Sequence, residues 1–249
     1  MRTRVSLPPL IGHRGAALHA PENSLEGFEQ AAELGARWVE FDVMLSADGV
    51  PVLHHDHDLQ RTAGCPEAVA KLTARDLAQT DVGSHFGASY SGVRIPTLAA
   101  AIGCLSRLNL GANVEIKPAP GREVETTRAA ISQLQASWPN HLPPPLISSF
   151  SAKALVTAAE LAPNLPRGWL GEKLPEDWET IVSDLGCSTV HLGWEDLTEA
   201  AAREVKSKGY GLVVWTVNDP EVARRCRGWG ADAIITDTPP GIAAALSGG

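Results

Sequence analysis

Residues 211–236 read GLVVWTVNDPEVARRCRGWGADAIIT. An apolar, β-branched run over 211–217 is followed by an amphipathic helical stretch over 220–229 and then by a second apolar run over 233–236. The pattern predicts strand, helix and strand in immediate succession. Two strands joined by a helical crossover run parallel, so this stretch specifies a β–α–β unit.

The same rhythm extends upstream. Strands are predicted over 189–193, 168–171, 146–150 and 112–117, each followed by a helix, over 197–208, 177–185, 152–161 and 122–137. Before these come a helix over 97–108 and strands over 50–55 and 38–45, the two strands parted by the turn at Asp48-Gly49. A helix over 24–34 and a strand over 10–13 complete the series at one end, and a helix over 240–246 at the other. About eight β–α units in 249 residues fit a closed TIM (β/α)8 barrel of parallel strands better than an open doubly wound sheet. One domain over 1–249 is the simplest organisation. Residues 56–96 break the rhythm: they are rich in Gly, Ser and Asp, lack a clean period, and read as an excursion between the second strand unit and the next helix, of a kind that often sits over an active site.

Composition narrows the function. Hydrophobic residues make up 44%, enough for a sizeable core. Acidic residues number 29 against 21 basic, a net charge of −8, and no basic stripe is present, so a nucleic-acid partner is not expected. A phosphate-bearing small molecule remains compatible, provided that a metal and a few cations gather locally. Cys65, Cys104, Cys187 and Cys226 form no CxxC motif and read as small buried residues in a reducing compartment. The first ten residues lack a signal-type apolar segment and no apolar run reaches membrane-spanning length, so a cytoplasmic location without stable membrane association is expected.

The reactive residues fall at predicted C-terminal strand ends, the face that carries barrel active sites. His13-Arg14-Gly15 follows the first strand: a histidine transfers protons near neutral pH, and an adjacent arginine grips phosphate through its planar fork. Glu40 and Asp42 lie two apart on one strand and Glu115 and Lys117 two apart on the next, so each pair shares a face. Unpaired buried carboxylates are costly, and three together suit a hard divalent cation, Mg2+ or Ca2+. The string His54-His55-Asp56-His57-Asp58 supplies a second histidine at a strand end, and His55 is the favoured proton carrier. The spacing His55-x-His57 also admits a zinc reading, although the turn-like residues that follow argue against it. In Pro21-Glu22-Asn23-Ser24, Asn23 with Glu26 reads as a capping box, with Ser24 the other cap candidate, and Glu22 placed to face the site. Trp215 in Trp215-Thr216-Val217-Asn218 reads as core packing or as an apolar wall of the pocket. Carboxylates for a metal, Arg14 and Lys117 for a phosphate, and two histidines for proton transfer add up to phosphodiester cleavage.

The same residues resemble the glycerophosphodiester phosphodiesterase family, most closely its bacterial cytosolic members. The resemblance rests on His13-Arg14-Gly15, Pro21-Glu22-Asn23-Ser24, Glu40-Phe41-Asp42-Val43, Asp48-Gly49, His55-Asp56 with Leu59-x-Arg61-Thr62, Glu115-Ile116-Lys117, Ser148-Ser149-Phe150 and Trp215-Thr216-Val217-Asn218, in order over nearly the whole chain. The family often carries Thr at the positions of Ser24 and Ala63, neither of which needs to carry chemistry. The resemblance implies a TIM barrel with a small insertion near 56–96 and metal-dependent release of glycerol 3-phosphate and an alcohol from glycerophosphodiesters such as glycerophosphocholine or glycerophosphoethanolamine. It implies Glu40, Asp42 and Glu115 as metal ligands, His13 and His55 as the acid–base pair, and Arg14 and Lys117 on the phosphate.

Three other readings compete. A barrel phospholipase acting on intact lipid would share the two-histidine chemistry but wants a membrane-facing patch, which the sequence does not show. A zinc amidohydrolase would want its HxH pair on the first strand, where His13-Arg14-Gly15 stands. A non-catalytic binding domain would lack a key His or acid, and none is missing. Head-group preference, the choice between water and the glycerol 2-hydroxyl as nucleophile, and monomer against homodimer are left open by the sequence.

Overall fold

The computed structural model describes residues 5–247. The chain runs β1 (Leu10–Gly12), α1 (Leu25–Glu33), β2 (Trp38–Leu45), β3 (Pro51–Leu53), β4 (Asp58–Leu59), α2 (Gln60–Ala63), β5 (Cys65–Ala68), α3 (Ala74–Leu77), α4 (Leu98–Leu108), β6 (Gly111–Ile116) and α5 (Glu123–Ser137). It continues through β7 (Leu146–Ser149), α6 (Ala152–Leu161), β8 (Arg167–Gly171), α7 (Trp178–Asp184), β9 (Thr189–Gly193), α8 (Glu199–Ser207), β10 (Gly211–Trp215), α9 (Pro220–Gly228), β11 (Ala233–Thr236) and α10 (Pro239–Ser247).

Eight strands run parallel in the order β1-β11-β10-β9-β8-β7-β6-β2, and β1 also pairs with β2, so the sheet closes on itself as a TIM barrel. The β-α-β unit at 211–236 shows how the sequence enforces each step. Asp219 caps α9, its side chain accepting from the Glu221 and Val222 N–H groups, and Pro220 opens the helix. Thr198 caps α8 in the same way through Ala201 N–H. Such caps contribute about 1 kcal/mol each and fix where the chain leaves the sheet.

Alternation along each strand sorts two layers. Val39, Phe41 and Val43 of β2 pack with Phe28, Leu98 and Leu105 of the helices. Trp38, on the opposite face, joins Ile11, Leu146, Val213, Ala233 and Ile235 in a cluster without helical residues, the barrel interior. Gly111 makes room for that indole: a Cβ there would lie 2.4 Å from Trp38 Nε1. Glu40 and Asp42 share the interior face with Trp38, nearer the C-terminal rim.

Strand β3 lies outside the parallel set. It pairs antiparallel with β2, Val43 facing Leu53 and Leu45 facing Pro51. The segment between them is a tight turn in which Ser46 Oγ donates to Asp48 Oδ1, far too short for a parallel crossover. The strand also stops at Leu53, two residues before the expected end, so His55 sits on the loop that follows.

Residues 56–96 are ordered despite their lack of period. They hold the β4–β5 hairpin and two one-turn helices, α2 and α3. Leu59, Val69, Leu77, Val82, Val93 and Ile95 form an apolar cluster with Met44 and Val52. Elements of two to four residues are too short to display a period, which is why the sequence concealed them. All four cysteines are free thiols, three of them buried. Among the described residues no helix is long and apolar enough to cross a membrane.

Candidate active site

Period two on β2 and β6 delivers three carboxylates to one spot. Glu40, Asp42 and Glu115 are all buried, and each offers an oxygen within 4.8 Å of the others. Asp42 stands beside Glu115 across the β2–β6 pairing. Burial pushes the Asp42 carboxyl upward, but Arg14, Lys117 and His55 override it and hold it at about 2. Burial, then the charges of Asp42 and Glu115, push Glu40 well above the carboxylate range. Burial, then Asp42, raises Glu115 to about 8. Two of the three therefore resist ionising side by side unless a cation joins them.

The residues fit such a cation. Glu115 Oε1 is buried without a hydrogen-bond partner, and Lys117 Nζ stays 3.9 Å away. The Asn113 side-chain oxygen, one register step below on β6, is likewise buried and unpartnered. An all-oxygen donor set with open lone pairs matches a hard divalent ion.

The two histidines stand at this cluster with their outer nitrogens held. His13 Nδ1–H donates to Asp237 Oδ1 at 2.6 Å, while its Nε2 lies 3.8 Å from Glu40 Oε2. Asp237 is fixed in turn by Asn218 Nδ2, which donates to its other oxygen at 2.6 Å. His55 Nδ1–H donates to Asp56 Oδ1 at 2.6 Å. Because a carboxylate only accepts, each Nδ1 carries the proton and each Nε2 is left free to exchange one. Burial, partly opposed by Asp42, lowers the His55 pKa below the ordinary histidine value.

Two cations flank the carboxylates. Arg14 adopts φ 48° between His13 and Gly15, and Gly15 has φ 96°, so the chain turns sharply back over the rim. Its Nη1 donates to Glu22 Oε1 at 2.9 Å, its Nε lies 3.4 Å from Asp42 Oδ2, and its backbone N–H donates to Glu40 Oε2 at 3.1 Å. Lys117 follows β6, its Nζ 3.4 Å from Asp42 Oδ1. Trp215 and Phe150 meet edge to face, ring centres 5.7 Å apart, and wall the cleft that the histidines, Arg14, Lys117 and the carboxylates line.

All eight sequence-selected residues, His13, Arg14, Glu40, Asp42, His55, Glu115, Lys117 and Trp215, therefore meet in one cleft at the C-terminal ends of the strands. The neighbouring histidines do not. His54 is buried with Nε2 3.0 Å from the Asp58 carbonyl, a brace for the insertion, and His57 is exposed. The capping expectation also needs correction: Ser24, not Asn23, caps α1 by accepting from Gly27 N–H. Asn23 has φ 53°, which takes it off the helix start, and its side chain turns to Asp42 instead. Asp237 is absent from the sequence reading, and Asn218 and Phe150 enter it only inside quoted motifs, with no role attached. The signal for Asp237 was its position directly after the last strand.

The sequence profile of the glycerophosphoryl diester phosphodiesterase family matches residues 13–240. A glycerophosphodiester phosphodiesterase of Caldanaerobacter subterraneus is 32% identical over 235 residues, covering 92% of this chain and 94% of that one. An Oleispira antarctica phosphodiesterase, solved in complex with the product sn-glycerol-3-phosphate, superposes with TM-score 0.94 at 38% identity over 97% of both chains. A Thermotoga maritima glycerophosphodiester phosphodiesterase superposes with TM-score 0.75 at 28% identity, over 95% of this chain and 97% of that one. Fold and relatives together define a TIM-barrel hydrolase of the phosphodiesterase class. The chain belongs to the glycerophosphoryl diester phosphodiesterase family. That membership displaces the zinc amidohydrolase reading of His55-x-His57.

Proposed function

We propose that the protein hydrolyses glycerophosphodiesters, glycerophosphocholine and glycerophosphoethanolamine among them, to glycerol 3-phosphate and the head-group alcohol. The observation that carries this reading is the convergence of three buried carboxylates and two carboxylate-held histidines on one rim. The product bound to the Oleispira relative supports the same substrate class. Glu40, Asp42 and Glu115 would hold one divalent cation, Mg2+ or Ca2+, which when bound stabilises negative charge on the phosphoryl oxygens. Arg14 and Lys117 grip the phosphate, the first through its fork and the second as a point charge. The Trp215 ring covers the apolar side of the glycerol.

The net reaction adds one water across a P–O bond. One histidine takes a proton at Nε2 from the attacking oxygen, whether that belongs to water or to the glycerol 2-hydroxyl. The other, entering as an imidazolium that keeps its Nδ1–H on the carboxylate, gives its Nε2 proton to the departing alcohol oxygen. Asp56 and Asp237 hold both rings in the tautomer this exchange needs. The reading takes 1–249 as one catalytic unit with 56–96 as its insertion, working in the cytoplasm on a small molecule. Exchanging His13 or His55 for alanine is expected to lower kcat/KM about 10²–10⁴-fold while the circular dichroism spectrum is kept. Near wild-type turnover in both variants overturns the assignment.

A further inference from the structure

The insertion reaches the site through one side chain. Arg61 stands on α2, a single turn closed by Gly64 in the left-handed conformation (φ 66°). Leu59 and Thr62 on either side of it are buried, and the β4–β5 hairpin straddles the turn. Arg61 is thus held from behind by the insertion's own apolar cluster, while its guanidinium faces the barrel.

That guanidinium spends donors on two different carboxylates. Its Nη1 and Nη2 donate to Glu22 Oε2 and Oε1, both at 2.7 Å, as a fork-to-fork pair. Its Nε donates to Asp56 Oδ2 at 2.7 Å. Glu22 is the carboxylate that receives Arg14 Nη1, and Asp56 is the carboxylate that receives His55 Nδ1–H. The chain of contacts therefore runs His55–Asp56–Arg61–Glu22–Arg14 without a break. Its two ends come from segments that are 41 positions apart in sequence, one after β1 and the other after β3.

We propose that Arg61 is a positioning residue that locks the proton-carrying His55 and the phosphate-gripping Arg14 into one geometry. The inference rests on the roles given to His55 and Arg14 above. The side chain of Arg61 is 46% exposed, and an ion pair so open to water contributes little to stability. Its three bonds instead fix directions: Nε takes Asp56 Oδ2 and leaves Oδ1 to His55, while the fork holds both Glu22 oxygens and so sets the plane in which the shared Oε1 meets Arg14. Lysine, a point charge without a planar fork, cannot pair with both Glu22 oxygens and hold Asp56 in this fixed geometry. Outer-sphere partners of this kind, when removed, lower activity about 10–100-fold.

The test uses the full chain carrying Arg61→Met and Arg61→Lys. Steady-state release of glycerol 3-phosphate is measured together with the ring 15N shifts of His55 without substrate. Arg61→Met is expected to lower kcat/KM about 10–100-fold. The His55 signal should move away from the Nδ1–H tautomer, and Arg61→Lys should recover part of both. A folded Arg61→Met protein with wild-type kcat/KM and an unmoved His55 signal overturns the proposal and leaves Arg61 a surface brace. Should Arg61→Met not fold, Glu22→Gln and Asp56→Asn are combined in a cycle. Among the described residues no hydrogen bond or ion pair joins these two side chains directly and both bond Arg61, so additive losses in kcat/KM refute the coupling and non-additive losses support it. The 15N shifts stand apart from turnover: if His55→Ala retained activity, the role of His55 would fail while the tautomer lock could still be read.

Discussion

Asn23 and Asp42 hold each other twice: Asn23 Nδ2 donates to Asp42 Oδ2 at 2.9 Å, and the Asp42 backbone N–H donates to Asn23 Oδ1 at 3.0 Å. Both residues are buried. The pair ties the loop before α1 to the middle of β2 and aims a carboxylate into the cleft. Asn23→Ala strands a buried N–H and places alanine in a left-handed conformation. It should cost roughly 2–4 kcal/mol in urea unfolding. The divalent ion should bind about 10–100-fold more weakly in calorimetry. Unchanged affinity would mean that Asp42 finds its direction without Asn23.

The carboxylate cluster makes opposite demands on stability and on activity. Without an ion, burial first and then the repulsion among Glu40, Asp42 and Glu115, only partly offset by Arg14 and Lys117, push Glu40 and Glu115 upward. In chelator, Glu115→Gln should therefore unfold at a higher temperature than the wild type. Added Mg2+ or Ca2+ should raise the wild-type unfolding temperature, by about 2.7 kcal/mol of stabilisation at a hundredfold excess over Kd. The variant should respond weakly and turn over slowly. Equal thermal shifts in both proteins would place the ion elsewhere.

Asp237 fixes the tautomer of His13 and is itself fixed by Asn218, which also accepts from the Asp237 backbone N–H at 2.9 Å. In Asp237→Asn the amide can rotate its NH2 toward His13 and move the ring proton to Nε2. A drop of about 10–100-fold in kcat with little change in KM is the expected kinetic signature. A change confined to KM would mean that Asp237 contacts substrate instead.

His191 gives the fold an acid limit of its own. It lies fully buried on β9, Nε2 2.9 Å from Thr189 Oγ1 and Nδ1 without a hydrogen-bond partner. Burial lowers its pKa to about 3 from the ordinary 6.5. Between those values the unfolded chain binds a proton that the folded chain refuses, so stability falls as pH drops from 6.5 towards 3. His191→Gln should flatten the dependence of the urea midpoint on pH in this window. An identical slope in variant and wild type would mean that other groups set the acid limit.

Much of this molecule is written in local pattern. The alternation that puts Glu40 and Asp42 on one face, and Glu115 and Lys117 on another, is visible because β2 and β6 are long enough to repeat it. His13 is legible from its place directly after β1, whereas His55, two residues past the end of β3, is legible through the family motif His55-Asp56 with Leu59-x-Arg61-Thr62. What was hidden is what depends on distant partners. Nothing local pairs Arg61 with Glu22, 39 positions away, or His13 with Asp237, 224 away. Asn23 was misread because Asx side chains cap helices and also adopt left-handed backbone, and sequence does not say which.

The most direct test of the account is glycerol 3-phosphate release from glycerophosphocholine by the purified protein, with Mg2+ or Ca2+ and separately with EDTA. Release with the ion that collapses in EDTA and returns on adding the ion back is the predicted result. No release under any of these conditions, for this substrate and its ethanolamine and glycerol analogues, or release at full rate in EDTA, would contradict it.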